Sequence, residues 1–110
     1  MPTRVVDVGS PADFPLGSIT PVDVDGSPLL LVHVAAGLFA IDASCTHEEF
    51  DLAGAMLEDC SIVCPMHLSR FDLASGAVLD PPAERPLATY PVSIVGDRVT
   101  IGPDRREQMP

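Results

Sequence analysis

Basic side chains are scarce in this sequence: six Lys and Arg residues stand against sixteen Asp and Glu residues, which gives a formal net charge of −10 at pH 7. A protein that binds nucleic acid needs a basic surface to displace the counterions of the phosphates. The charge balance therefore argues against a nucleic-acid partner. An acidic surface favours solubility instead, and it can also steer a protein towards a basic partner.

Long apolar runs are missing as well. No segment approaches the roughly 18 uninterrupted apolar residues of a membrane-spanning helix. Met1 to Arg4 lead directly into the Val-rich segment Val5–Val8, without the apolar core of a signal peptide. We therefore expect a cytoplasmic protein with no membrane partner. Its 110 residues are close to the commonest size of a single domain.

Tryptophan is absent and aromatic residues make up 5% of the chain, whereas twelve Pro and eight Gly predict many turns. No segment keeps a helical period over three turns, and short apolar segments alternate with turn signals, which predicts an all-β sandwich or barrel. The predicted strands are 4–8, 19–24, 29–34, 38–41, 61–63, 89–95 and 98–101. The predicted turns include Asp25-Gly26, Glu58-Asp59 and Gly96-Asp97, and residues 10–15 are expected to form a loop or a single helical turn.

Two mixed pairs of Cys and His carry the chemistry of the chain. They are Cys45-Thr46-His47 and Cys64-Pro65-Met66-His67, and soft or borderline metals prefer thiolate and imidazole ligands. A structural zinc finger usually groups two Cys first and two His last. A Rieske-type 2Fe-2S cluster needs two thiolates on one iron and two imidazoles on the other, which two mixed loops supply directly. The spacing favours this cluster, with a structural zinc-binding interaction module as the alternative.

Further motifs extend this pattern to most of the chain. They are Cys45-Thr46-His47-Glu48-Glu49, Cys64-Pro65-Met66-His67, Arg70-Phe71-Asp72, Ser75-Gly76, Pro81-Pro82 and Thr89-Tyr90-Pro91-Val92. With them the chain resembles Rieske ferredoxins, and more narrowly the small ferredoxin components of bacterial ring-hydroxylating oxygenase systems. The resemblance implies a Rieske domain at 4–102, with a small cluster-binding subdomain at about 43–82 inserted between the strands of a larger β base. Residues 103–110 are charged and lack a pattern, so we expect a flexible tail.

The resemblance also implies a function. The chain would carry single electrons from a flavin- or NADH-linked reductase to a terminal aromatic-ring-hydroxylating oxygenase, with the small Rieske subunit of an assimilatory nitrite reductase as the alternative. A terminal oxygenase needs a further iron bound by two His and a carboxylate. Once His47 and His67 are used as cluster ligands, only His33 remains, and it is expected to be a half-exposed strand residue. We therefore expect no catalytic site in this chain.

High-potential Rieske proteins of respiratory complexes resemble this site but add a disulfide between the two ligand loops, and the equivalent positions here are Phe50 and Met66. They also carry Ser and Tyr hydroxyls after the second His, which correspond to Ser69 and Phe71. With one of these hydroxyls left, we expect a potential at the low end of the Rieske range of about −150 to +300 mV.

Three other features complete the expectations. The third cysteine, Cys60, is predicted to be a small, partly buried strand residue that does not bind the cluster. The chain has three cysteines, and two of them are predicted ligands, so we expect no disulfide framework. The residues around the His ligands predict an apolar tip with an acidic border. The apolar part is Leu68 and Pro81-Pro82, and the border is Glu48 and Glu49. Such a surface suits brief encounters with a partner.

Overall fold

The computed structural model describes residues 5–24, 26–43, 51–64, 69–80 and 86–102. In these ranges the chain forms β-strands, turns and two short 3₁₀ turns at Pro11–Asp13 and Leu52–Gly54. The prediction of an all-β fold is confirmed, and the first 3₁₀ turn is the single helical turn expected near residues 10–15. No helix in the described ranges is long and apolar enough to cross a membrane.

The strands form three antiparallel sheets. In chain order they are β1 (Val6–Gly9), β2 (Ile19–Val24), β3 (Ser27–Val34), β4 (Gly37–Asp42), β5 (Met56–Glu58), β6 (Ser61–Val63), β7 (Arg70–Asp72), β8 (Val78–Asp80), β9 (Thr89–Tyr90), β10 (Val92–Val95) and β11 (Arg98–Ile101). The sheet orders are β1-β11-β10, β2-β3-β4-β9 and β5-β6-β7-β8.

Strand β3 lies between two hydrophobic cores. Its residues 29–32 are all at most 1% exposed, and successive side chains of a strand point to opposite faces. Leu30 and Val32 therefore join one group, the ligand-side core, while Leu29 and Leu31 join the other, the base core. The ligand-side core is Leu30, Val32, Val34, Ile41, Leu52, Ile62, Cys64, Phe71, Leu73 and Leu87. The base core is Phe14, Val24, Leu29, Leu31, Ala40, Ala88, Tyr90, Val99 and Ile101.

The sheet β5–β8 covers the ligand-side core. Its strands come from residues 56–80, which the chain inserts between β4 and β9, although β4 and β9 pair with each other. An insertion of this kind fits the subdomain that the resemblance implies. Its boundaries at about 43–82 and those of the domain at 4–102 stay predictions, and residues 103–110 lie outside the described residues.

The predicted strand 89–95 is wrong as a single element, because it divides at Pro91. Thr89 and Tyr90 pair with β4, whereas Val92–Val95 pairs with β11 in another sheet. Proline has no N–H to donate to a ladder and has a fixed φ, so the chain changes sheets there. The Pro91 carbonyl still accepts a hydrogen bond from the N–H of Gly102 at 3.0 Å.

The turn before β6 also differs from its prediction by one residue. Glu58 ends β5 and pairs with Ser61, so the turn is Asp59-Cys60, and Cys60 precedes the strand instead of lying in it. Asp59 has a φ of +52°. Asp tolerates this left-handed conformation better than most residues, which explains why a two-residue hairpin turn forms at this place.

Gly76 links the sheet β5–β8 to the segment that returns to the base. Its N–H donates to the Asp72 carbonyl and its own carbonyl accepts from the N–H of Leu87, both at 2.8 Å. Its φ is +78°, and a Cβ at this position would overlap the carbonyl oxygen of Leu87. Only glycine allows the two backbones to approach this closely.

Replacing Gly76 by Ala should therefore destabilise the protein more than the same change at Gly17. Both glycines have a left-handed φ, +78° and +86°, and such strain costs Ala about 1–2 kcal/mol. At Gly17 no atom lies within 4 Å of the added Cβ. At Gly76 the overlap with Leu87 adds about 1–3 kcal/mol.

The measurement is the thermal unfolding midpoint of the two variants. In a domain of this size, 1 kcal/mol corresponds to about 4–8 °C. Gly76→Ala should thus unfold at least about 4 °C below Gly17→Ala. Equal midpoints would contradict the close approach of Gly76 to Leu87.

Candidate metal centre

The structure describes one of the four predicted ligands, Cys64. The ligands Cys45, His47 and His67 lie outside the described residues, so their assignment stays a prediction. The same holds for the predicted features of the tip and for the positions of the respiratory disulfide, which are Glu48, Glu49, Phe50, Met66, Leu68, Pro81 and Pro82.

Cys64 follows β6 directly and is 2% exposed. It belongs to the ligand-side core together with Ile62 and Phe71, and its N–H donates to the Ser69 carbonyl at 2.9 Å. This hydrogen bond joins the two ends of the segment 65–68, which carries His67. A buried thiolate needs a balancing positive charge, which bound iron provides. The position of Cys64 therefore fits a metal ligand.

The ends of the first ligand segment are joined in a similar way. The N–H of Leu52 donates to the carbonyl of Ala43 at 2.7 Å, which closes the segment 44–50. The hydroxyl of Tyr90 donates to Oδ1 of Asp42 at 2.7 Å, and the Asp42 N–H donates to the Ala88 carbonyl at 3.1 Å. The last residue of β4 is thus held against the segment 88–90, which returns from the sheet β5–β8.

The described residues that flank the two ligand segments meet at one core. Leu52 and Cys64 are members of the ligand-side core, and Ala43 packs against it. Leu87, which follows the Pro81-Pro82 segment, belongs to the same core. Both ligand segments therefore start from the same core. This arrangement fits a site built from Cys45 and His47 of the first segment, Cys64 at the start of the second and His67 within it.

Ser69 and Phe71, the two positions at which respiratory Rieske proteins carry hydroxyls, are both buried. Ser69 is 1% exposed, and Phe71 is fully buried in the ligand-side core with Cys64. A hydroxyl on Phe71 would consequently lie inside this core, where it would need a hydrogen-bond partner. The low potential expected from the Phe at this position stays a prediction.

Cys60 lies in the turn before β6 and packs against the ligand-side core while remaining partly exposed. Burial raises the pKa of its thiol, and the negative charge of Asp72 raises it further, while a hydrogen bond with the backbone of Ala74 acts in the opposite direction. The thiol is therefore protonated at neutral pH. Only the thiolate is a good nucleophile or metal ligand, so Cys60 has the chemistry of a packing residue.

His33 is a partly buried residue of β3, as predicted. Its Nδ1 lies 2.7 Å from the carbonyl oxygen of Phe14, so Nδ1 carries the proton and donates. Leu29, which pairs with Asp42 near the first ligand segment, is four residues away on the same strand, about 13 Å along the chain. The imidazole of His33 thus serves the packing of the base.

Two contacts near the site were not anticipated from the sequence. They are the hydrogen bond from Tyr90 to Asp42 and a charged network of Arg70 with Glu58 and Asp80. Arg70 could have been noticed, because it is one of only six basic residues and follows a ligand segment directly. Its partners depend on the strand register, which no local motif reveals.

Comparisons with known proteins give a consistent result. Residues 4–91 match the family model of the Rieske [2Fe-2S] domain. The ferredoxin component of the naphthalene 1,2-dioxygenase system of Pseudomonas aeruginosa is 36% identical over 101 residues, which are 92% of this chain and 97% of that protein.

Solved structures agree with this match. The ferredoxin of carbazole 1,9a-dioxygenase from Nocardioides aromaticivorans has a TM-score of 0.85 at 29% identity, covering 92% of this chain and 99% of that chain. A chain in the complex of reduced oxygenase and oxidized ferredoxin in carbazole 1,9a-dioxygenase has a TM-score of 0.86 at 25% identity, covering 94% and 97%. The chain therefore belongs to the Rieske 2Fe-2S domain family and, within it, to the ferredoxin components of ring-hydroxylating dioxygenase systems.

Proposed function

We propose that this chain passes electrons, one at a time, from a flavin- or NADH-linked reductase to a terminal aromatic-ring-hydroxylating oxygenase. The match over nearly the full length of a naphthalene 1,2-dioxygenase ferredoxin component carries this proposal. A ferredoxin of similar structure occurs in a complex with its oxygenase, which supports the second partner. The 36% identity of this match favours the role over that of a nitrite reductase small subunit, since a protein assigned to that kind shares the fold at only 18% identity. The match to the Rieske [2Fe-2S] family model favours it over a structural zinc module.

The ligand set follows from the motif and from the position of Cys64. Cys45 and Cys64 would hold one iron of the 2Fe-2S cluster, and His47 and His67 would hold the other. A cluster held by these residues would supply the chemistry of one-electron uptake and release. Cys64 directly follows β6 and is buried in the same core as Phe71 and Leu87. This core keeps water away from its sulfur.

The rest of the chain supports a carrier without its own oxygen chemistry. The sequence contains three His, and two of them are the proposed cluster ligands. The third, His33, donates its Nδ1–H to the Phe14 carbonyl oxygen within the base, with 2.7 Å between Nδ1 and the oxygen. We propose that oxygen activation belongs to the oxygenase partner.

The ligand set is tested by comparing variants of the proposed ligands with variants of residues of the same type outside the set. Cys64→Ser and His67→Ala should lose the iron and the visible absorption of the cluster, because each removes one of four ligands. Cys60→Ser and His33→Gln serve as controls with the same residue types changed outside the ligand set. Both should keep two iron atoms per chain, with a stability loss of about 1 kcal/mol or less.

The measurement is the iron and sulfide content of folded protein, with the visible spectrum. Loss of iron from a well-folded Cys60→Ser variant, or full iron content in His67→Ala, would show that the ligand set is wrong. The control variants also separate loss of the cluster from loss of the fold.

Electron transfer to an oxygenase tests the proposed function. With the reductase and oxygenase of a naphthalene 1,2-dioxygenase system, NADH-driven oxygenation should fall to background without this chain and return when it is added. Failure to accept electrons from the reductase, in protein that contains a full cluster, would contradict the proposed role.

The dependence of this rate on salt tests the acidic border. If Glu48 and Glu49 steer the encounter, the rate should fall steeply as the Debye length shrinks from about 30 Å at 0.01 M to about 8 Å at 0.15 M salt. The double variant Glu48→Gln, Glu49→Gln should show a shallower fall.

The control is the double variant Asp13→Asn, Asp97→Asn, which removes the same charge. Both aspartates lie near Arg98 in the base, and Asn can still accept the hydrogen bond that Asp13 accepts from Ser10. An equal change of salt dependence in the two double variants would mean that net charge, and not the acidic border, controls the rate.

A further inference from the structure

Arg70 begins β7, two residues after the second ligand segment, which ends at residue 68. The carbonyl of the preceding residue, Ser69, accepts the N–H of Cys64 at 2.9 Å. In the sheet, Arg70 lies opposite Val63 on one side and opposite Asp80 on the other. Val63 leads into Cys64, and Asp80 leads into the segment 81–85. Arg70 therefore stands where three chain segments at the candidate site begin or end.

The guanidinium of Arg70 connects three strands. Its Nε donates to Oδ2 of Asp80 on β8 at 2.8 Å, and its Nη1 donates to Oε1 of Glu58 on β5 at 3.4 Å. The side chain thus reaches across β6, which lies between β5 and β7. A planar guanidinium can serve two carboxylates in fixed directions, whereas an ammonium group is a single point charge.

The backbone ladder is irregular at the same place. Arg70 faces Asp80 but Phe71 faces Val78, so Leu79 is an extra residue and is 45% exposed. A bulge interrupts the backbone hydrogen bonds and bends the strand, and bulges are frequent next to functional sites. The ion pair of Arg70 with Asp80 therefore supplies a connection that the backbone of β7 and β8 lacks here.

The surroundings shield the guanidinium of Arg70 more than its carboxylate partners. The side chain of Arg70 is 33% exposed and lies in a groove of about 400 Å³ lined by Met56, Leu57, Glu58, Val63 and Asp80. The side chains of its partners Asp80 and Glu58 are 51% and 65% exposed, whereas Arg98 and its partner Asp7 in the base are each 49% exposed. Because the carboxylates are largely exposed, the ion pairs contribute little energy by charge alone. What Arg70 offers is the fixed geometry of a guanidinium that is bound to two strands at once.

We propose that Arg70 is a positioning residue, which fixes the buried end of the second ligand segment against the strand that enters segment 81–85. Cys64 and Ser69, at 2% and 1% exposure, keep water out only while this end stays closed. The inference rests on the proposed ligation of the cluster by Cys64 and His67. It adds the residue that holds this ligand segment in place.

The variant Arg70→Lys separates positioning from charge. It keeps the positive charge and loses the planar guanidinium that binds two carboxylates in fixed directions. If Arg70 only contributed charge, Arg70→Lys would leave the midpoint potential unchanged. If Arg70 positions the segment, water reaches the thiolate side and stabilises the more negative reduced state, so the midpoint potential rises. Amide exchange of Cys64, whose N–H donates to the Ser69 carbonyl, should also become about three to ten times faster, with the iron content unchanged.

The matched control is Arg98→Lys, which makes the same change in the ion pair with Asp7 in the base. It should leave both the potential and the amide exchange of Cys64 as in the wild type. An unchanged potential and exchange in Arg70→Lys, or the same changes in Arg98→Lys, would overturn the proposal.

A second variant covers the case in which Arg70→Lys does not assemble a cluster. Asp80→Ala removes the partner and leaves Arg70 in place, so it should likewise speed the amide exchange of Cys64. Unchanged exchange there would overturn the proposal. Absence of iron and colour from the wild-type protein would instead refute the proposed function, so the two failures can be told apart.

Discussion

Burial of β3 on both faces is the constraint on which the rest of this structure depends. The run 29–32 is almost fully buried, so each side of the strand needs its own cover. Phe14, Val99 and Ile101 cover one side, together with the sheet of β1, β10 and β11. Ile62, Phe71 and Leu73 from the inserted sheet cover the other. The two parts of the domain therefore share one strand, and the inserted sheet is held by apolar packing against a rigid base.

This packing also holds the described ends of the two ligand segments in place. Cys64 and Leu52 are core residues, and hydrogen bonds from Cys64 to Ser69 and from Leu52 to Ala43 join the ends of the two ligand segments. A carrier that exchanges one electron per encounter benefits from ligands that move little between its two charge states. The charge of the chain, −10, suits brief meetings with basic surfaces, in which rate and orientation matter more than buried area.

The parts of this account that rest on local patterns could be predicted from the sequence. The mixed Cys and His pairs indicated the cluster, β6 was predicted at Ser61–Val63, and Asp25-Gly26 marked the β2–β3 hairpin. The predictions from sequence are wrong where the pairing of strands distant in the chain determines the structure. Pro91 divides one apolar run between two sheets, and the register of β5 with β6 moves the turn onto Cys60. Arg70 binds Asp80, ten positions away in the chain, and Glu58, twelve positions away. The bulge beside this network has no sequence motif that predicts it.

The central claim is that two histidine nitrogens bind one iron of a 2Fe-2S cluster. Electron spin echo modulation of the reduced protein, prepared with and without ¹⁵N-labelled histidine, tests it most directly. The account predicts modulation from two coordinated histidine nitrogens, both altered by the label, and none from His33, whose Nδ1 donates to Phe14 in the base. A reduced protein with no coordinated histidine nitrogen, or a colourless protein that contains zinc, would contradict the account.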